Sequence, residues 1–149
     1  MFILRKDSGI IPTVLTQILD SCVNGVTLSD PDQEDAPIVY ANRAFEDITL
    51  YSQPEIVGRN CRFLQGTDRD QPQLDKLRAG IRKRQPVEVV LRNYRKTGEL
   101  FFNRLVVKPL LDTSGEVIYF LGVQYDITKQ VAAGEEIGKL NERLELVRA

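Results

Sequence analysis

The stretch Gly58-Arg59-Asn60-Cys61-Arg62-Phe63-Leu64-Gln65-Gly66 sets one cysteine between a carboxamide and a guanidinium, with a glycine at each end of the run. A lone cysteine is most often a small apolar residue of a core. Polar neighbours on both sides argue against inert packing here, and Arg62 would favour the thiolate of Cys61 relative to an unperturbed pKa of about 8.5. Thiolate chemistry needs a base or an electrophile, and the chain contains no histidine. That absence removes Cys-His and Ser-His pairs, His-ligated zinc and haem, and a phospho-accepting histidine. A bound electrophile is the better partner for Cys61.

Working outward, the upstream side begins with Pro12 followed by Val14, Leu15, Ile18 and Leu19. This spacing predicts a short amphipathic helix starting near the proline and packed on the domain as a cap. Gly25 to Ser29 reads as a strand, Asp30-Pro31-Asp32-Gln33 as a turn, and Ile38-Val39-Tyr40 as the returning strand of a hairpin with a long acidic loop. Asn42 leads into Ala44, Phe45 and Ile48 at helical spacing, and Pro54 to Gly58 predicts a further helical turn closed by glycine.

Downstream, Asp70-Gln71-Pro72-Gln73 offers an N-cap with an early proline. Leu74, Leu77 and Ile81 then share a helical face, with Arg78 beside it. Three strand-like runs follow, Val87 to Tyr94, Leu100 to Lys108 and Val117 to Tyr125, separated by turns at 96–99 and 112–115. Two strands, short helices and three strands with short connections predict an α+β fold. Its five-stranded antiparallel sheet is covered on one face by short helices, with helices flanking it at the N- and C-termini.

Strand periodicity adds an observation independent of the cysteine run. Val87, Val89, Leu91 and Asn93 share one face, as do Phe101, Asn103, Leu105 and Val107, and Ile118, Phe120, Gly122 and Gln124. Each strand thus sets one carboxamide among apolar residues. A buried amide without partners costs roughly 1 to 3 kcal/mol, so three on the core side call for partners. A flat ligand with alternating donors and acceptors would satisfy them, whereas amides at strand ends would be satisfied by water.

Composition narrows the classes further. The 149 residues suit one domain, and 42% hydrophobic with 28% charged residues is ordinary for a globular chain. Lys and Arg (20) nearly balance Asp and Glu (21), for a net charge of −1, so neither nucleic acid nor an anionic membrane is an expected partner. No apolar run approaches the ~18 to 20 residues of a spanning helix, and the chain reads as cytoplasmic. Cys22 and Cys61 fit no metal spacing and read as free thiols, with Cys22 an ordinary packed one.

The nine-residue run matches the G-x-N-C-R-F-L-Q-G signature of light-oxygen-voltage domains, and the chain resembles that branch of the PAS superfamily, in its bacterial form, over roughly residues 22 to 126. The resemblance implies an FMN-binding blue-light photoreceptor in which Cys61 forms a reversible bond to flavin carbon C4a. It implies cofactor-binding roles for Asn60, Arg62, Gln65, Arg78, Asn93, Asn103 and Gln124. Arg62 and Arg78 would hold phosphate, and Asn93, Asn103 and Gln124 would hold the ring. Thr27, Leu64, Ile81, Leu91, Leu105, Val107, Phe120 and Gly122 would line the pocket. Gln65 to Arg78 is a short connection, without the insertion some relatives use for the adenine half of FAD, which favours FMN. The chain departs from many plant relatives in having Phe101-Phe102-Asn103 where they have F-W-N.

The resemblance also implies an organisation: a cap helix at 1–21, the core at 22–126 and a linker helix at 127–149 leading towards a covalently linked output domain absent from the chain. Gln124 would pass the signal through the last strand to Asp126-Ile127-Thr128, where Asp126 caps the final helix. Ala133, Ile137, Leu140, Leu144 and Val147 form a three-four seam, predicting a homodimer through the terminal helices. On this reading the domain is a sensor and no enzyme. Two other readings stay open: a light-independent flavin redox sensor, and a cofactor-free PAS dimerisation module.

Overall fold

The structure, a computed structural model, describes residues 10–148, with side chains described for 13–144. The first nine residues of the expected cap region and the seam position Val147 lie outside that description. The elements are α1 (Ile10–Asp20), β1 (Gly25–Ser29), β2 (Ile38–Ala41), α2 (Arg43–Thr49), α3 (Gln53–Ile56), a 3-10 helix (Cys61–Gln65), α4 (Pro72–Arg82), β3 (Val87–Tyr94), β4 (Leu100–Leu111), β5 (Val117–Asp126) and α5 (Thr128–Arg148). The strands form one antiparallel sheet in the order β2-β1-β5-β4-β3, so the last strand lies at its centre.

Asn42 shows how sequence fixes the first half. It is fully buried, and its Oδ1 caps α2 by accepting from the Phe45 N–H while also accepting from Val26 N–H at 2.8 Å. Its Nδ2 donates to the backbone carbonyls of Leu19 (2.8 Å) and Asn24 (3.0 Å). One amide therefore ties α1, β1 and α2 together. Glu55 accepts from Ser52 N–H at 2.8 Å at the start of α3, and Asn60 Oδ1 accepts from Arg62 N–H at 3.0 Å where the 3-10 helix begins.

The alternation on β3 and β4 is the expected one: Val87, Val89, Leu91 and Asn93, with Phe101, Asn103, Leu105 and Val107, are all buried. Helix α4 covers this part of the sheet, uniting Leu74 and Leu77 with Val87, Val89, Leu91, Leu105 and Val107, with Phe120 packed alongside. A second cluster joins Ile38, Ala41, Phe45, Ile56 and Leu64, with Tyr51, Cys61 and Phe63 against it. Gly80 permits the close approach of α4 to β3, since a Cβ there would sit 2.6 Å from that of Val87.

Three details differ from the sequence expectations. Asp70 does not cap α4. Gln71 holds the N-cap position without capping, because its side chain bridges to the backbone of Arg92 on β3 and to the carbonyl of Asp68. Strand β4 runs on to Leu111, paired with β5, beyond the predicted Lys108. Helix α1 already begins at Ile10, and Val14 and Ile18 on it are exposed, so the cap covers the domain with only part of its stripe. On α5 the seam residues Ile137, Leu140 and Leu144 are each more than half exposed, at 59%, 55% and 54%, so these three do not pack on the sheet, which agrees with a seam meant for a partner. Asp126 accepts from the Thr128 N–H and hydroxyl, just ahead of that helix, while Ile127 N–H donates to the Phe102 carbonyl at 3.0 Å.

Candidate ligand cavity at Cys61

A cavity of about 270 Å³ lies between the two core clusters, near the lower end of the ~300 to 1,000 Å³ typical of small-molecule sites. The 3-10 segment contributes Asn60, Cys61, Arg62 and Gln65; α4 contributes Leu74, Leu77, Arg78 and Ile81; the sheet contributes Thr27, Ser29, Leu105, Val107, Phe120, Gly122 and Gln124. Pro31 and Ala36 of the β1–β2 loop complete the wall. A wider groove of about 450 Å³ beside Asp20, Arg43, Asp47, Arg95 and Asp126 is an open surface feature, whereas the more enclosed Cys61 cavity joins an apolar wall to convergent polar groups.

The structure brings together Cys61, Asn60, Arg62, Gln65, Arg78, Gln124, Thr27, Ile81, Leu105, Val107, Phe120 and Gly122 of the residues singled out by sequence. Asn93, Asn103, Leu64 and Leu91 lie outside the lining. Leu64 and Leu91 belong to the second and first core clusters, and the two asparagines bond to each other, Asn103 Nδ2 donating to Asn93 Oδ1 at 2.9 Å. Ser29, Pro31, Ala36, Leu74 and Leu77 were not foreseen. The α4 leucines carried a usable signal, since they share the helical face that holds Ile81.

Among the described residues, two side-chain acceptors are buried without partners, Asn103 Oδ1 and Gln124 Oε1. The Gln124 amide donates its Nε2 hydrogen to Thr27 Oγ1 at 3.2 Å. Both oxygens sit on the buried face of the sheet, where an unmet acceptor costs about 1 to 3 kcal/mol, so each is a place for an N–H donor. Gly122 keeps the intervening wall low: a Cβ there would lie 2.6 Å from Thr27 Oγ1 and 3.1 Å from Gln124 Nε2.

The thiol behaves differently from the sequence expectation. Burial pushes the Cys61 pKa up, and this outweighs the nearby Arg62 charge, which pulls it down. Cys61 is therefore held as a protonated thiol. Arg62 is also engaged elsewhere, in an ion pair with Asp35, while Arg78 faces Asp75 at a loose 3.4 Å. Among the described residues no group of His, Cys, Asp or Glu could hold a metal, and no helix is long and apolar enough to cross a membrane.

The PAS domain family model matches residues 23–129, and the chain belongs to that family. Within it the chain is a light-oxygen-voltage domain of bacterial type. It is 51% identical over 107 residues to Blue-light-activated histidine kinase 1 of Erythrobacter litoralis, a match covering 72% of this chain and 30% of that protein. A solved structure described as that of an RNA-binding light-oxygen-voltage receptor superposes with a TM-score of 0.81 at 31% identity, covering 94% of this chain and 39% of that one. Another, described by the words "Flavin Analogue Sheds Light on Light-Oxygen-Voltage Domain Mechanism", gives a TM-score of 0.74 at 38% identity, covering 90% of this chain and 99% of that one. The chain spans less than half the length of the curated relatives it matches.

Proposed function

We propose that this chain is a blue-light sensing domain that binds FMN and reports illumination through β5 and α5. The observation that carries the reading is the shared cavity of the Cys61 thiol and the Gln124 amide, whose carbonyl oxygen has no partner. A flavin ring edge offers one N–H, two carbonyl oxygens and an acceptor nitrogen, so its single N–H suits one of the two unmet oxygens, that of Gln124 or that of Asn103, and its acceptors suit the N–H groups of these amides. The leucines, Val107 and Phe120 suit its apolar faces. Arg62 and Arg78 on the cavity wall suit a single phosphate group, which favours FMN.

A bound flavin would supply light absorption and an electrophilic ring carbon, C4a. Cys61 would deliver its sulfur to that carbon and its proton to ring nitrogen N5, reversibly. The raised thiol pKa supports this, because it keeps that proton in place beforehand. Gln124, beside Gly122, can turn its amide to present oxygen or nitrogen, and its strand ends at Asp126, two residues before α5. The domain itself would be a sensor without catalytic output, joined to an output domain in the longer protein and paired with a second copy through the exposed stripes of its terminal helices. Its net charge of −1 supports no direct nucleic-acid contact.

The test is the visible absorption of purified protein before and after blue light, for the wild type and Cys61→Ala. Reversible bleaching of a structured flavin band in the wild type alone supports the reading. A yellow protein that does not bleach points to redox sensing. A colourless one that FMN cannot reconstitute leaves a binding module.

A further inference from the structure

Both neighbours of Cys61 are held by one residue of the β1–β2 loop. The Asp35 carbonyl accepts from Asn60 Nδ2 at 2.7 Å, and the Asp35 carboxylate pairs with the Arg62 guanidinium. The loop that presents Asp35 is itself anchored: Asp30 is buried, and its carboxylate accepts from Asp32 N–H at 3.0 Å and Gln33 Nε2 at 3.1 Å. Asp35 and Ala36 then adopt φ of 65° and 42°, a region that L residues rarely occupy. The loop thus sets the Asp35 carboxylate against Arg62, which together with Ala36 belongs to the cavity wall.

Arg62 and Arg78 are the two cationic side chains of that wall, and each meets a carboxylate of the chain itself. Their situations differ. The Arg78 pair is long and exposed at both ends, leaving that guanidinium available. Arg62 is closely paired, and a phosphate reaching it must share or displace Asp35. Since both groups are dianionic or anionic oxygen acceptors, they compete for the same donors and repel each other.

We propose that Asp35 sets how strongly this cavity discriminates a phosphorylated ligand from its unphosphorylated counterpart, by holding the Arg62 guanidinium against a competing carboxylate. Asp35 is a positioning residue acting through Arg62. The inference rests on the flavin reading, for which FMN and riboflavin are the matched pair: they differ only in the phosphate. Asp35 and Arg62 are both partly exposed, so the effect is the modest one of a surface pair and is screened by salt.

Fluorescence titrations of the full chain with FMN and with riboflavin, at low and at about 0.5 M salt, test it. Asp35→Asn tolerates positive φ and keeps the backbone bond to Asn60, and Asp35→Gly relaxes the backbone instead. Each should raise the affinity for FMN relative to riboflavin by about threefold at low salt, the size of a surface ion pair. The gain should shrink at high salt and vanish in an Arg62→Gln background. An unchanged or reduced ratio, equal losses for both flavins, or a gain that persists without Arg62 would overturn the inference while leaving flavin binding intact. Failure of the wild type to bind either flavin would overturn the functional reading and this inference with it.

Discussion

Gln124 and Thr27 hydrogen-bond diagonally across β5 and β1, although the strand register sets Thr27 opposite Gly122. The bond passes over the glycine and leaves Gln124 Oε1 without a partner. On the proposed route the Gln124 amide is the switch, and Gln124→Leu removes it while keeping its volume. FMN binding should weaken by no more than about tenfold, the worth of one hydrogen bond. The light-induced change in hydrogen exchange across residues 128–148 should disappear while bleaching persists. A full-sized change in the variant would place the route to α5 elsewhere.

Gly80 and Gly138 respond to alanine in opposite directions. Both lie in helices, where alanine is worth up to about 1 kcal/mol. At Gly80 the new methyl would lie 2.6 Å from Val87 Cβ, and overpacking of that kind costs about 1 to 3 kcal/mol. Urea unfolding of Gly80→Ala should show net destabilisation. Nothing lies within 4 Å of the corresponding position on Gly138. Gly138→Ala should raise the helical circular dichroism signal of α5 without altering the urea midpoint of the core.

Asp68 gives the fold an acid-sensitive tie. Arg92 Nε and Nη2 donate to its carboxylate at 2.7 and 2.9 Å, and Tyr94 OH at 2.6 Å, which lowers its pKa to about 2. The folded value lies below the unfolded one near 3.9, so the contribution is complete above about pH 4 and is lost as pH falls towards 2. The stability difference between wild type and Asp68→Asn, read from urea midpoints, should therefore close over that window. A gap that stays constant with pH would assign the tie to neutral hydrogen bonds.

Arg95 gathers the exit of the sheet. Its guanidinium donates to the Ile48 carbonyl at 2.6 Å and to Asp126 at 2.9 Å, pairs with Glu99 and lies 4.7 Å from the Phe101 ring centroid. Arg95→Met keeps an apolar stem over Phe101 but strips the donors from Ile48 and Asp126. The expected cost is about 1 to 3 kcal/mol. Amide protection should fall first at residues 126–128, detectable by hydrogen exchange. Loss confined to β3 would contradict this.

The parts of the fold legible in the chain were those governed by local periods. Two-residue alternation gave the buried faces of β3 and β4, and the run around Cys61 located one wall of the cavity. Register is not a local property. Asn93 and Asn103 share the expected face, but pairing sets Leu91 opposite Asn103 and Asn93 opposite Phe101, so the two amides meet diagonally and bond to each other. Likewise Asp70 has the right chemistry for a cap, yet the chain passes it before the helix starts and Gln71 is drawn to β3. The sign of the Cys61 shift depended on burial, which a neighbouring arginine in the sequence cannot reveal. The Asp35–Arg62 pair spans 27 positions and needs two residues at positive φ, with no glycine to announce them.

The central place of β5 has a consequence for biosynthesis. Strands β1 and β2 form one hairpin and β3 and β4 another, but the two share no edge; β5 pairs with β1 on one side and β4 on the other. A nascent chain shorter than about residue 126 therefore holds two separate ribbons, and two-stranded ribbons alone are marginal in water. The sheet can close only after the ribosome has released Asp126, so any sequence translated behind it begins to emerge while the core is still completing its last and longest-range pairings.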